Sequence, residues 1–104
     1  MSNNVFYVLT IEVDPAPEQD WLNWYRHAHI PDILAQPGFR RATIYRAETA
    51  PGEWARYAIM FEVESRQALA AYLNGDEVQR LRADHDSHFG GVTRASRHIL
   101  SPIE

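Results

Sequence analysis

The segment VFYVLTIEVDPAPEQDWLNWYRHAHIPD, residues 5–32, changes its apolar period once, and that change decides the fold. Over its first nine residues Val5, Tyr7, Leu9, Ile11 and Val13 fall on one side, and Phe6, Val8, Thr10 and Glu12 on the other. This is the two-residue alternation of a strand with one apolar face. Asp14-Pro15-Ala16-Pro17 ends it, because proline fixes φ and donates no ladder hydrogen bond. From Glu18 to Ala28 the period becomes helical, with Trp21, Trp24, Tyr25 and Ala28 at offsets 0, 3, 4 and 7. Pro31 biases Ile30 away from the α region, so a kink or restart is expected near His29. Asp32 to Gln36 forms a short continuation, which Pro37-Gly38 stops.

Outward from this segment, strands are expected over Phe39–Glu48 and Arg56–Glu64, joined by the turn-rich Thr49-Ala50-Pro51-Gly52. Ser65 is placed to cap a helix carrying Leu69, Tyr72 and Leu73, which Asn74-Gly75 ends. Asp76 can cap a second helix, with Val78, Leu81, His85 and Phe89 on one stripe, and Gly90-Gly91 precedes a last strand over Val92–Leu100. The order β-α-β-β-α-β predicts an α+β, ferredoxin-like architecture: a four-stranded antiparallel sheet with helices on one face, as a single domain over residues 1–104. The other sheet face would carry Phe6, Val8, Phe39, Tyr45, Trp54, Met60, Val92 and Leu100. An apolar patch of that breadth marks an association surface, and a homodimer through the sheets is the expected solution.

Composition narrows the chemistry. The 104 residues include no cysteine, which excludes disulfides, thiolate metal sites and cysteine nucleophiles. All 10 basic residues are arginine, so Schiff-base and pyridoxal-phosphate chemistry have no lysine to use. A formal net charge of −4 argues against a nucleic-acid partner. No apolar run reaches membrane-span length and the first residues do not read as a secretory signal, so a soluble, cytoplasmic protein with no membrane partner is expected. No phosphate-binding loop, Gly-x-Gly-x-x-Gly or Gly-x-Ser-x-Gly occurs, and no cofactor is expected.

Proton transfer is left to five histidines, the carboxylates and the tyrosines. His29, beside the proline, can turn into a partly dry cavity and titrate near neutrality, or it can cap freed carbonyls or pack on Trp24. His27 faces elsewhere and is expected to be solvated. His85 lies in the middle of an apolar stripe, where it must face a cavity or be a hydrogen-bonded core residue. His85, His88 and His29 could ligate a metal, but an isolated His-x-x-His is a weak signal and no metal is expected. Strand parity points Tyr7, Tyr57, Arg97 and Ile99 at the helices. An inward arginine needs an anion, either a ligand or a carboxylate such as Asp84 or Asp32. Tyr7, Trp24, Tyr57, His88 and Phe89 would line a pocket for a flat aromatic or polyketide-like ligand, or simply fill a small core.

Trp21-x-x-Trp24 followed by His29-Ile30-Pro31, then Pro37-Gly38-Phe39, Arg82-Ala-Asp-His85-x-x-x-Phe89-Gly90 and Arg97-x-Ile-Leu100, resembles the dimeric α/β-barrel superfamily. Within it the chain is similar to a small bacterial family of unknown function, related to EthD-type and antibiotic-biosynthesis-monooxygenase-like proteins. The resemblance implies a ferredoxin-like subunit, a dimer through the sheets, and a pocket between sheet and helices near His29, His85, Phe89 and Arg97. It transfers positions and not roles, because fold does not fix function. The Asn, Trp and His set of the heme-degrading branch does not match in order.

The expected activity is that of a cofactor-free isomerase, cyclase or carbon–carbon lyase acting on an aromatic or polyketide-like carbonyl compound. His29 or His85 would be the general base and Arg97 would stabilise negative charge. Two alternatives stand beside it: a cofactor-independent monooxygenase on a hydroxylated aromatic, and a non-catalytic ligand-binding or accessory subunit.

Overall fold

A computed structural model describes residues 4–103, so the outermost residues of the expected 1–104 domain lie outside the described residues. The elements are β1 (Val5–Val13), α1 (Glu18–Trp24), a π-helical turn (Tyr25–His29), α2 (Ile30–Leu34), β2 (Phe39–Arg46), β3 (Ala55–Val63), α3 (Arg66–Leu73), α4 (Asp76–Phe89), a 3₁₀ turn (Gly90–Val92) and β4 (Thr93–Leu100). All strand pairs are antiparallel in the order β2-β3-β1-β4. This is the ferredoxin-like α+β fold that the element order predicts.

β1 is central because its alternation holds without interruption. Val5, Tyr7, Leu9, Ile11 and Val13 are all buried, and they pair in register with β3 and β4. Ile59, Phe61 and Val63 of β3 extend the same inner layer, onto which Trp21, Tyr25, Leu69, Val78 and Leu81 pack from the helices. Ser65 caps α3 as expected, its Oγ accepting from the Ala68 N–H at 3.0 Å.

Five local expectations are corrected. Ile30 remains in the α region (φ −58°, ψ −48°), so Pro31 does not break the helix. Instead the backbone widens before the proline, and the Ile30 N–H reaches back five residues to the Tyr25 carbonyl. A π turn accommodates a ring that would clash with the carbonyl four residues earlier. It also changes the buried stripe to Trp21, Tyr25, His29 and Ile33, and leaves Ala28 exposed. Asp76 is the first residue of α4 and not its cap, which is Gly75.

Phe39 is the fourth correction. A register irregularity between Phe39 and Arg41 shifts the parity of β2 and carries Phe39 to the helix side. There it is buried edge-on against Tyr72, with ring centroids 5.0 Å apart. The outer face therefore carries Phe6, Val8, Met60, Tyr45 and Leu100, with Trp54 covered by the Arg94 guanidinium at 4.0 Å. Val92 lies in the 3₁₀ turn and not in the strand.

Gly38, in the turn before β2, has φ +86° and would place a Cβ 2.6 Å from the Ala68 Cβ. Gly52 shares φ +86° but faces open space. Both Gly38→Ala and Gly52→Ala should lose stability, on the order of 1 kcal/mol for the backbone alone. Gly38→Ala should lose measurably more in chemical denaturation, because α3 must shift; equal losses would mean that the turn does not fix the helix.

Candidate functional site

Between the inner face of β1–β4 and the helices lies a cleft whose walls include Tyr7, Tyr25, His29, Arg82, His85 and Arg97. The π turn supplies Tyr25 and His29, α4 supplies Arg82 and His85, and the strands supply Tyr7 and Arg97. The two inward histidines expected from the sequence do meet here, with ring centroids 5.6 Å apart.

His85 is only 8% exposed, and its Nε2 accepts a hydrogen bond from the Trp21 indole N–H at 3.1 Å. An indole nitrogen only donates, so Nε2 must be unprotonated. The proton of the neutral ring then resides on Nδ1, 3.5 Å from Asp86 Oδ1. Burial pushes the His85 pKa below its ordinary value, and the Asp86 carboxylate opposes this. His85 is thus held neutral with its basic nitrogen occupied, which makes it a poor general base.

His29 is differently placed. It is 5% exposed and stacks on Trp24, with centroids 4.9 Å apart and planes 24° from parallel. Burial first, and His85 second, push its pKa down to about 4, so it is neutral at pH 7. Its Nδ1 is buried without a hydrogen-bond partner, as are Tyr25 Oη and Arg82 Nε. All three residues line this same cleft. A buried polar atom without a partner is costly, and three on one cleft mark where a ligand or water makes the missing bonds. Burial raises the Tyr25 phenol well above its ordinary pKa, so it remains an O–H donor.

The other expected site residues are distributed around this cleft. Tyr7 and Arg97 line it, and the Tyr7 hydroxyl accepts from Arg82 Nη2 at 3.3 Å. Arg97 makes no ion pair among the described residues, so neither Asp84 nor Asp32 neutralises it as a salt-bridge partner. Trp24 lies outside the lining, stacked between His29 and the exposed His88. Phe89 packs behind it at 5.5 Å. Tyr57 is directed away, its hydroxyl donating to Glu18 Oε2 at 2.5 Å on the far side of Trp21. His27 is exposed, as its position predicts. Among the described residues no three His, Asp or Glu side chains converge as metal ligands.

Sequence reasoning places Tyr25 in the core and uses Arg82 only as a motif position. For Tyr25 the signal lies in spacing, since Trp21, Tyr25, His29 and Ile33 are four residues apart; Arg82 has none beyond its place three residues before His85. The cleft offers about 30 Å³ to water-sized groups, within about 410 Å³ of space that includes open solvent. Its enclosed part takes one or two water-sized groups, and no flat polycyclic ligand can enter it whole.

Several solved structures share this fold. A variant of SnoaB, a cofactor-independent oxygenase from Streptomyces nogalater, superposes with a TM-score of 0.73 at 16% identity, over 99% of this chain and 96% of that one. An EthD-family protein from Bacillus halodurans C-125 gives 0.68 at 17% identity, over 95% and 99%. An antibiotic biosynthesis monooxygenase gives 0.66 at 14% identity, over 96% and 99%. These likenesses establish a shared fold. No curated protein matches the chain significantly in sequence. Residues 4–103 do match a family model, "Domain of unknown function (DUF4286)", and the chain belongs to that family.

Proposed function

We propose that this cleft performs acid–base catalysis on a small carbonyl compound without a cofactor, with His29 as the base. The observation that carries it is the convergence of unpartnered Tyr25 Oη, His29 Nδ1 and Arg82 Nε on one cleft. A carbonyl oxygen entering the inner end receives the Tyr25 O–H and Arg82 N–H donors. His29 removes a proton from the adjacent carbon, the C–H electrons form the carbon–carbon double bond, and the carbonyl π electrons pass to oxygen as an enolate. The donors are aimed where negative charge develops, and stabilising that charge usually lowers the barrier more than any other effect. A neutral imidazole at pH 7 has the lone pair the step needs, and the enolate then strengthens its hold on the proton. Isomerisation, cyclisation or carbon–carbon cleavage each proceeds from such an enolate. The inner volume fits only the reacting end, so the rest of the substrate lies in the mouth near Arg97 and Ala95.

A second reading is an oxygenase in which the same carbanion reacts with molecular oxygen; a structural neighbour described as a cofactor-independent oxygenase favours it. Oxygen uptake stoichiometric with turnover distinguishes it from the first. A third reading is a ligand-binding subunit, in which the cleft binds and nothing turns over.

On the outer sheet face, Tyr45 and Leu100 are 56% and 45% exposed beside Phe6 and Met60. We propose that a second copy covers this face, in keeping with the prevalence of two-fold dimers. Sedimentation should give a dimer, and Tyr45→Arg with Leu100→Arg should give monomers; an unchanged dimer would place the interface elsewhere.

With an enolisable substrate, His29→Gln should lower kcat by about 10²–10⁴-fold, the range for removing a positioned base. His85→Gln should cost far less. Larger loss from His85→Gln than from His29→Gln would reverse the assignment, and full turnover in both variants would remove the acid–base reading.

A further inference from the structure

We propose that the ligand of this cleft carries a carboxylate, held by Arg82 and Arg97 while its reacting carbon faces His29. This rests on the acid–base reading of the same cleft and names the substrate class it takes: oxo acids and their aromatic relatives.

The arginines divide by how their charge is satisfied. Arg40, Arg41, Arg46, Arg56, Arg80 and Arg94 each lie within 3.6 Å of a glutamate. Arg26 and Arg66 extend from exposed helical positions, where water solvates them. Arg82 and Arg97 also have no salt bridge among the described residues, and what sets them apart is that both line the cleft, Arg82 half-buried and Arg97 exposed at its edge. Arg82 is half-buried, its Nη2 donates to the Tyr7 hydroxyl, and its Nε is buried with no partner. A guanidinium presents its donors in a fixed fork that matches a carboxylate, and burying part of that fork without a protein partner is costly.

Topology brings the two arginines together. In the β1–β4 register Tyr7 is opposite Ile99 and Leu9 opposite Arg97. Tyr7 and Arg97 are therefore diagonal neighbours on the same inner face, within reach of a long side chain. Arg82 descends from α4 onto the Tyr7 hydroxyl, on the cleft that Arg97 also lines. Both guanidinium charges are felt by the Tyr72 phenol on the cleft wall. Among the lining residues the only carboxylate is Asp86, whose exposed side chain lies 3.5 Å from His85 Nδ1. Asp84, further along α4, is turned to His88 at 3.7 Å. Two guanidinium groups against one carboxylate leave a positive charge for an anion to meet. A carboxylate held toward the mouth by Arg97 and the outer N–H groups of Arg82 leaves the inner end, with Tyr25 and His29, to the reacting carbonyl.

The test is calorimetric titration of the whole protein with benzoate, benzamide and inorganic phosphate, for wild type, Arg97→Gln, Arg97→Lys, Arg82→Gln and His29→Gln. Benzoate should bind at least tenfold more tightly than benzamide, more weakly as salt rises, and more tightly than phosphate. Arg97→Gln, a change at an exposed position that leaves the core intact, should weaken benzoate at least tenfold, and Arg97→Lys should recover part of it. Arg82→Gln should also weaken it, while His29→Gln should retain it. Equal binding of benzoate and benzamide would overturn the carboxylate claim and leave the acid–base reading standing, since that needs only a carbonyl. Preferred binding of phosphate, unaltered benzoate affinity in Arg97→Gln, or no saturable benzoate binding would each overturn it as well. Loss of turnover in His29→Gln with benzoate binding retained separates the two claims.

Discussion

The Trp21 indole N–H donates to His85 Nε2 at 3.1 Å, joining side chains 64 residues apart in a buried setting. Most of the site's chemistry follows from this one bond. Because the indole can only donate, it fixes which nitrogen of His85 is bare and which carries the proton. It also opposes protonation of that ring, since an added Nε2–H would point at another N–H. In the proposed reaction the neighbouring imidazole is therefore the one assigned the role of base. His29 sits 5.6 Å away with an unpartnered buried nitrogen and no competing donor. The same bond ties α1 to α4 and so holds the π turn that follows α1 against the helix that carries His85.

The cleft also needs Tyr25, His29 and Ile33 to face inward with Trp21, and an ideal α-helix would spread the four around its circumference. A step of four residues overshoots a turn by about 40°, so Trp21, Tyr25, His29 and Ile33 would drift round the helix by about 120°. The π turn over Tyr25–His29 takes up the excess, and all four are buried. Pro31 supplies the local reason for the wider turn, so a residue that reads as a helix breaker aligns the site instead. π turns of this kind recur at functional sites, because they aim one more side chain inward at the expense of regular hydrogen bonding.

Much of the architecture is legible in the sequence because the signals are periodic. The nine-residue alternation of β1 needs no tertiary information, and neither does the stripe through Val78, Leu81, His85 and Phe89 on α4. What periodicity cannot show is where the period itself changes. The irregularity between Phe39 and Arg41 moves Phe39 across the sheet, and strand parity applied to sequence alone puts it on the wrong face. The π turn hides Tyr25 among core residues for the same reason. Arg82 escapes notice because its importance lies in what it lacks, a partner for Nε, and a missing partner has no sequence signature. The inward direction of Arg97 is readable from parity, whereas its freedom from any carboxylate depends on the packing of α4. Trp24 and Phe89 read as pocket aromatics but form a stack behind His29, which narrows the cleft rather than lining it.

The fold is shared with proteins of low identity, so it carries no activity by itself. The central proposal for this chain is a division of labour between two histidines in one cleft, and nitrogen-15 NMR of the histidine rings across pH tests it most directly. At pH 7 His85 should be neutral, with its proton on Nδ1 and its Nε2 hydrogen-bonded, and His29 should stay neutral until the pH approaches about 4. A His85 protonated on Nε2, or a His29 already charged at pH 6, would contradict that division.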